Sequence, residues 1–391
     1  MSSTNSGPSF STEDPKAIKP FHPPFTWGET FVFGFGGYAM YTAGIIAHYG
    51  RKAKELFSLP EKRPNLIKAY PCRPSLNVHF FYPPSYDQAA GPAKQKLPTL
   101  LTIHGGGFVL GNPQDSDVWN HDFVRENAGQ PTFVVALNYR KGPVSPFPVA
   151  IHDLEAITQA VLADTSLPID LEQVALAGWS AGGNLALSLA SLPSMQGRLR
   201  AVVPVYPVVD FSIQTPTKVL HRYYKPGMVG FRGNKVDFLS HFAPTFNWSY
   251  LPKGFKNEDL KTPLLSPTYL PKKSLPSYIF LMAAELDMLS HEAWEMACKL
   301  AGRAPPAQPQ SGSSEEHPPN QLILDDERFA FEERTPTSSY KWLLVPDAVH
   351  AFDMNIVERY KSDDMYKDAQ AKRRLCMTMI HDWLFSGPFK A

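Results

Sequence analysis

Several short runs along the chain are mostly apolar, on both faces of an extended strand, and each is bounded by Gly or Pro. They are Leu97–Ile103, Thr132–Leu137, Gln173–Ala177, Arg200–Val205, Tyr278–Met282 and Tyr340–Val345. Runs without polar alternation suit strands covered on both faces. Helix-period segments fall between them, at Ile151–Leu162, Gly182–Leu192, His291–Ala301 (with Ser290 as the expected N-cap) and Asp364–Phe385. Strands alternating with helices predict a mainly parallel central sheet with helices on both faces. Two stretches break the alternation. Residues 211–265 are rich in aromatic, Pro and basic positions and read as a cap over the carboxyl edge of the sheet. Residues 302–339 are polar and Pro-rich and read as a flexible surface insertion.

The N-terminal region, residues 1–95, reads as a tail and cap segment ahead of the main α/β domain over 96–391. No basic segment leading into an apolar core marks a secretory signal there. Phe31–Tyr49 carries no Asp, Glu, Lys or Arg, and Arg51, Lys52 and Lys54 follow it. Such a run is long enough to span a bilayer, with Ala39, Ala43 and Ala47 spaced for close helix packing. Its glycines and tyrosines suit an apolar segment packed over the protein body equally well. Both readings, membrane-associated helix 31–49 and cap segment, stay open at this point.

The 391 residues carry 38 Lys plus Arg against 37 Asp plus Glu, a net charge of +1. That balance gives no field for nucleic acid or a polyanion. Three distant cysteines, Cys72, Cys298 and Cys376, offer neither a disulfide framework nor a metal knuckle. They fit a reducing compartment, so a cytoplasmic location is expected. No HExxH or His/Cys cluster appears, so neither a metal nor another cofactor is expected.

Gly178-Trp-Ser180-Ala-Gly182 is a G-x-S-x-G motif set between a predicted strand and a predicted helix. A sharp turn there lifts Ser180 above the sheet as a nucleophile, at a helix N-terminus that favours an anion. His104-Gly105-Gly106-Gly107-Phe108 follows another strand and lacks the Lys-Ser/Thr of a phosphate loop. The backbone N–H groups of Gly106 and Gly107, with that of Ala181, are the expected oxyanion donors. His104 is expected to organise the loop. In the chain order Ser, acid, His, the acid follows a late strand. Glu285 and Asp287 compete for that place, and Asp287, further from the strand end, is favoured. His350 follows the last strand and is the expected base. His381, in the terminal helix, reads as a surface residue.

Together these residues resemble the hormone-sensitive lipase-like group of α/β-hydrolases, similar to arylacetamide deacetylases. The resembling blocks are His104-Gly-Gly-Gly-Phe108 with Gly111, then Asn138-Tyr-Arg140 with Pro143, Phe147-Pro148 and Asp153. The Ser180 elbow with Asn184, then Ser266-Pro267 with Asp287, Leu289 and Glu292, and finally His350 with Phe352 complete the series. Two positions depart from the pattern. Trp179 stands where many members carry Asp, which suggests a bulkier, more apolar pocket wall, and Glu285 stands where Gly is usual. Residues 1–95 and 302–339 find no counterpart. The resemblance implies an α/β-hydrolase fold, with a cap from the N-terminal region and the mid-chain insertion. It implies a serine carboxyl-ester hydrolase that acts through an acyl-enzyme. The aromatic composition of the cap is what points to an apolar small-molecule ester or lactone, a natural-product ester among them. An acyltransferase or natural-product cyclase would use the same triad. The gibberellin receptors that resemble this family lack the histidine, so His350 disfavours a binding protein.

Overall fold

A computed structural model describes residues 23–87, 89, 91, 95–126, 129–304, 311–354 and 363–390. The tail up to residue 22 and positions 305–310 lie outside the described residues. Among the described residues nine strands form one sheet, in the order β1-β2-β4-β3-β5-β6-β7-β9-β8. Six are those the apolar runs predict: β3 (Leu97–Ile103), β4 (Phe133–Leu137), β5 (Ile169–Trp179), β6 (Ala201–Val205), β7 (Tyr278–Ala284) and β9 (Ser338–Val345). They lie side by side and parallel. The sequence reading misses β1 (Leu66–Tyr70), β2 (Arg73–Phe81) and β8 (Ala330–Thr335). These are the antiparallel edges.

Helices α3 (Val149–Leu162), α4 (Ala181–Ala190) and α7 (Ser290–Ala301) cover one face. Helices α2 (Asp117–Glu126) and α8 (Asp363–Ser386) cover the other. Both faces of the central strands are therefore apolar, which is why they carry no alternation. Helix α7 begins one residue earlier than expected. Leu289 is its N-cap, and the Ser290 hydroxyl instead meets the Ser311 hydroxyl at 2.6 Å. That contact also corrects the expectation of a flexible surface insertion for the described part, 311–339. Ser311 and Ser313 are buried, and β8 pairs with β9 along six residues.

The region 211–265 folds into two short helices, α5 (Thr215–Leu220) and α6 (Ala243–Tyr250), joined by turns. Helix α6 packs against the N-terminal helix α1 (Trp27–Glu55). Thr26 caps α1, accepting from Glu29 N while Glu29 returns the bond to Thr26 N. The alanines that the sequence suggests as a packing stripe, Ala39, Ala43 and Ala47, are exposed; Gly34 and Gly37 make the contact. A methyl on Gly34 would stand 3.0 Å from the Trp248 ring, and one on Gly37 would stand 2.3 Å from the Ser249 hydroxyl. That hydroxyl is already committed to Thr245 O at 2.7 Å. The side of α1 away from α6 stays open, with Trp27, Phe31, Phe35, Ile46 and Tyr49 all exposed.

The Gly37 contact leaves no room for a side chain. Gly37→Ala is expected to lower stability by about 1–3 kcal/mol, the usual cost of overpacking, read as a fall in Tm. An unchanged Tm would show that α1 is not seated on α6 through this glycine.

Candidate active site

Strand β5 ends at Trp179 and α4 starts at Ala181, so Ser180 must turn the chain alone. It does so at φ 54°, ψ −118°, outside the regions an L-residue prefers. Its N–H is held by Val205 O at 2.9 Å. The neighbours allow this turn only because they lack side chains. A Cβ on Gly178 would lie 2.1 Å from Gly182 O, and one on Gly182 would lie 2.2 Å from Ile103 O.

Strand β3, next to β5, delivers the glycine loop. Gly105 approaches so closely that a Cβ there would lie 2.9 Å from Trp179 O and 3.3 Å from Ser180 Cβ. Gly106 and Gly107 adopt φ 115° and 59°, which turns the loop across the elbow. Phe246 of α6 lies against Gly107, so the cap reaches this loop. His104 stands behind the loop. Its Nδ1 lies 2.8 Å from Gly105 O and its ring stacks on Tyr139 at 4.5 Å. Burial, with Lys141 nearby, holds its pKa well below 6.5, so the ring is neutral. Asp153 anchors the following segment, accepting from Arg140 Nε at 2.8 Å and Nη2 at 2.7 Å, and from Arg73.

The acid and the imidazole arrive from the ends of β7 and β9, which are also neighbours. His350 Nε2 lies 2.9 Å from Ser180 Oγ, and His350 Nδ1 lies 2.6 Å from Asp287 Oδ2. Asp287 Oδ1 accepts from Leu289 N at 3.0 Å, which fixes the carboxylate plane. Burial, the largest influence on His350, opposes charging it, but the Asp287 carboxylate, with Asp237 and Asp353 further off, outweighs it and the pKa rises above 6.5. The structure thus brings Ser180, Asp287 and His350 together; Ala181 follows the serine, and Gly105, just ahead of Gly106 and Gly107, is the loop residue that lies against it. Glu285 points elsewhere, into a cluster with Lys225 and Asp347.

Trp179 corrects a sequence expectation. It is buried under the elbow against Trp119, with ring centroids 4.7 Å apart, and builds no pocket wall. Its Nε1 donates to Asp353 Oδ2 at 3.0 Å, while Tyr206 OH donates to Asp353 Oδ1 at 2.5 Å. Tyr206 also lies beside His350, 4.8 Å between ring centroids. Asp353, three residues past His350, therefore ties the histidine loop to β5, the strand that leads into Ser180. Burial raises the Asp353 pKa against the two donated bonds. Sequence reasoning missed Asp353 and Tyr206. The only signal was that Asp353 follows the His350–Phe352 block. His381, expected at the surface, is buried in α8 and lies 3.1 Å from Gln130 O.

Glu285, His317 and Asp347 offer three ligand atoms within 4.8 Å of one another. The Lys225 ammonium already lies between the carboxylates, at 2.9 Å from Glu285 and 2.5 Å from Asp347. The donor set is therefore matched to a buried lysine rather than to a metal ion.

A family model described as alpha/beta hydrolase fold matches residues 100–317. Ethyl acetate hydrolase of Pseudomonas putida is 32% identical over 221 residues, 55% of this chain and 62% of that protein. Arylesterase of Saccharolobus solfataricus is 30% identical over 206 residues, 51% of this chain and 61% of that protein. Each match spans about three fifths of the relative's length. Among solved structures, an esterase of Pyrobaculum calidifontis superposes with a TM-score of 0.58 at 20% identity, covering 90% of this chain and 93% of that one. A fungal esterase from Rhizomucor miehei gives 0.57 at 19% identity, covering 94% and 99%. The sheet order, the elbow and the matched residues lead to one conclusion: the chain belongs to the alpha/beta hydrolase fold family.

Proposed function

We propose that this protein is a serine carboxyl-ester hydrolase acting on apolar small-molecule esters, with natural-product esters and lactones as its substrate class. One observation carries the reading: the unbroken chain from Ser180 Oγ through His350 to Asp287, with contacts of 2.9 and 2.6 Å. His350 Nε2 accepts the Ser180 proton as Oγ attacks the ester carbonyl. The N–H groups of Gly106, Gly107 and Ala181 stabilise the oxyanion. The imidazolium gives its proton to the departing alkoxide, leaving an acyl group on Ser180. Water, deprotonated by His350, attacks that acyl group, releases the acid and restores the hydroxyl. Asp287 holds the imidazole tautomer and offsets the charge that His350 gains. The names of the relatives support ester hydrolysis. The aromatic residues of the cap, Phe246 at the glycine loop among them, support an apolar substrate.

Ser180→Ala is expected to cut kcat/KM on p-nitrophenyl acetate by about 10³-fold or more. Below its pKa the imidazole is protonated and cannot take the serine proton. Activity is thus expected to rise with pH along a limb centred above 6.5, the side to which His350 is shifted. Asp287→Asn should move that limb down and lower kcat. Retained turnover in Ser180→Ala would reject the reading, and an added alcohol recovered as new ester would mark an acyltransferase instead.

We also propose that α1 lies on an anionic membrane surface. The helix is long and apolar enough to cross a bilayer by length and composition. However, Gly34 and Gly37 commit one face to α6, while Arg51–Asp115 and Gln114–Glu55 contacts fasten its C-terminal end to the protein body. Lying flat keeps those contacts and buries Trp27, Phe31, Phe35 and Ile46, with Lys52 and Lys54 towards headgroups. The protein is expected to sediment with phosphatidylcholine–phosphatidylserine vesicles, less so at high salt, and Phe31→Glu with Phe35→Glu should abolish this. Failure to sediment, or burial of the face in a dimer seen by ultracentrifugation, would overturn it.

A further inference from the structure

The loops that carry Asp287 and His350 leave the sheet at adjacent strand ends, where Ala284 pairs with Val345. Beyond that pair the ladder stops. Two backbone bonds continue it, from Glu285 N to Val345 O at 3.0 Å and from Leu286 N to Ala348 O at 2.8 Å. Past them, the loop spacing depends on side chains. Glu285 Oε2 accepts from Asp347 N at 2.7 Å and from Lys225 Nζ at 2.9 Å. Lys225 Nζ also reaches Asp347 Oδ1 at 2.5 Å. Glu285 Oε1 accepts from Ser313 N at 2.8 Å, with His317 Nε2 3.7 Å away, and Asp347 Oδ2 accepts from His317 N at 2.8 Å. The side chains of Lys225 and Glu285 are wholly buried, and that of Asp347 is 1% exposed.

Lys225 belongs to the cap, and it is one of three cap side chains on this loop. Arg222 Nη1 donates to Leu286 O at 3.1 Å, and Asp237 Oδ2 accepts from Met288 N at 2.7 Å. The cap therefore grips residues 285, 286 and 288, on both sides of Asp287. A buried lysine between two carboxylates is costly to leave half paired, so these groups are held together or displaced together.

Taking the proposed hydrolase reading as its basis, we propose that Lys225 and Glu285 are positioning residues. Their ion cluster sets the spacing of Asp287 and His350 and makes that spacing depend on how the cap is seated. Neither residue touches the ester. Glu285 stands two residues before the acid, and Asp347 three residues before the imidazole, so a shift in the cluster moves both. Misplacement on the ångström scale is enough to lower a rate by about a hundredfold.

Lys225→Met removes the ammonium at similar volume and leaves two buried carboxylates facing each other. Glu285→Gln removes one charge and keeps an acceptor, and serves as the second variant should the first not fold. In both, kcat on p-nitrophenyl acetate is expected to fall about tenfold or more, with KM within about threefold. The pH limb of kcat/KM is expected to move down as His350 loses its carboxylate. The Lys225→Met, Glu285→Gln pair should recover part of the loss, since one buried negative charge goes with the positive one. Variants that lose only Tm, with kcat and the pH limb unchanged, would show the cluster to be structural and overturn the inference. A rise in KM alone would do the same by making it a substrate contact. Ser180→Ala is measured alongside: activity there would sink the hydrolase reading itself, separately from the cluster.

Discussion

Parallel register is what the site depends on. Ser180, the glycine loop, Asp287 and His350 come from four strands spread over most of the chain. They meet because β3, β5, β6, β7 and β9 end at nearly one level. The ladders pair Ile103 with Gly178, Trp179 with Val205, Val205 with Met282, and Ala284 with Val345. Ser180, Asp287 and His350, which follow the ends of β5, β7 and β9, can then lie within hydrogen-bond reach. A slip of one residue in any ladder would turn its last side chain to the other face and move its loop by about 3.3 Å. The core on both faces of the sheet is thus the support of the Ser180–His350–Asp287 geometry as well as of the fold.

Above the strand ends, buried polar side chains take over from the ladder. Asp353 joins the histidine loop to Trp179 beneath the elbow, through one bond from the indole and one from Tyr206. Glu285 joins the acid loop to the histidine loop through Asp347. Burying a carboxylate costs several kcal/mol unless donors surround it, so each of these has its donors in place. The two ties approach His350 from opposite sides in sequence, at 347 and 353. His350 is then held in a loop with little freedom, a preorganised setting for proton transfer.

The legible parts of the sequence were those with local signals. β3 through β7 and β9 are apolar on both faces, and the elbow needs glycines at fixed spacing. The edges were not legible for the same reason. β8, Ala330–Thr335, reads AFEERT, and its second half is exposed, so its composition resembles a loop. β1 is largely exposed, and β2 is exposed only near its start. Trp179 looked like a pocket wall because a motif gives its position but not which face of the strand it occupies. The ties were invisible because their partners are 60 residues apart for Lys225–Glu285 and 174 for Trp179–Asp353. Asp287 could be preferred to Glu285 from spacing alone, but the partner that draws Glu285 away lies in the cap.

Covalent capture of the nucleophile bears most directly on this account. The protein would be titrated with a fluorophosphonate while residual ester turnover and the labelled peptide are followed by mass spectrometry. The account predicts one adduct per chain, on Ser180, with turnover lost in proportion and no labelling in His350→Ala. Turnover that survives complete labelling of Ser180, or an adduct formed on another residue as activity disappears, would contradict it.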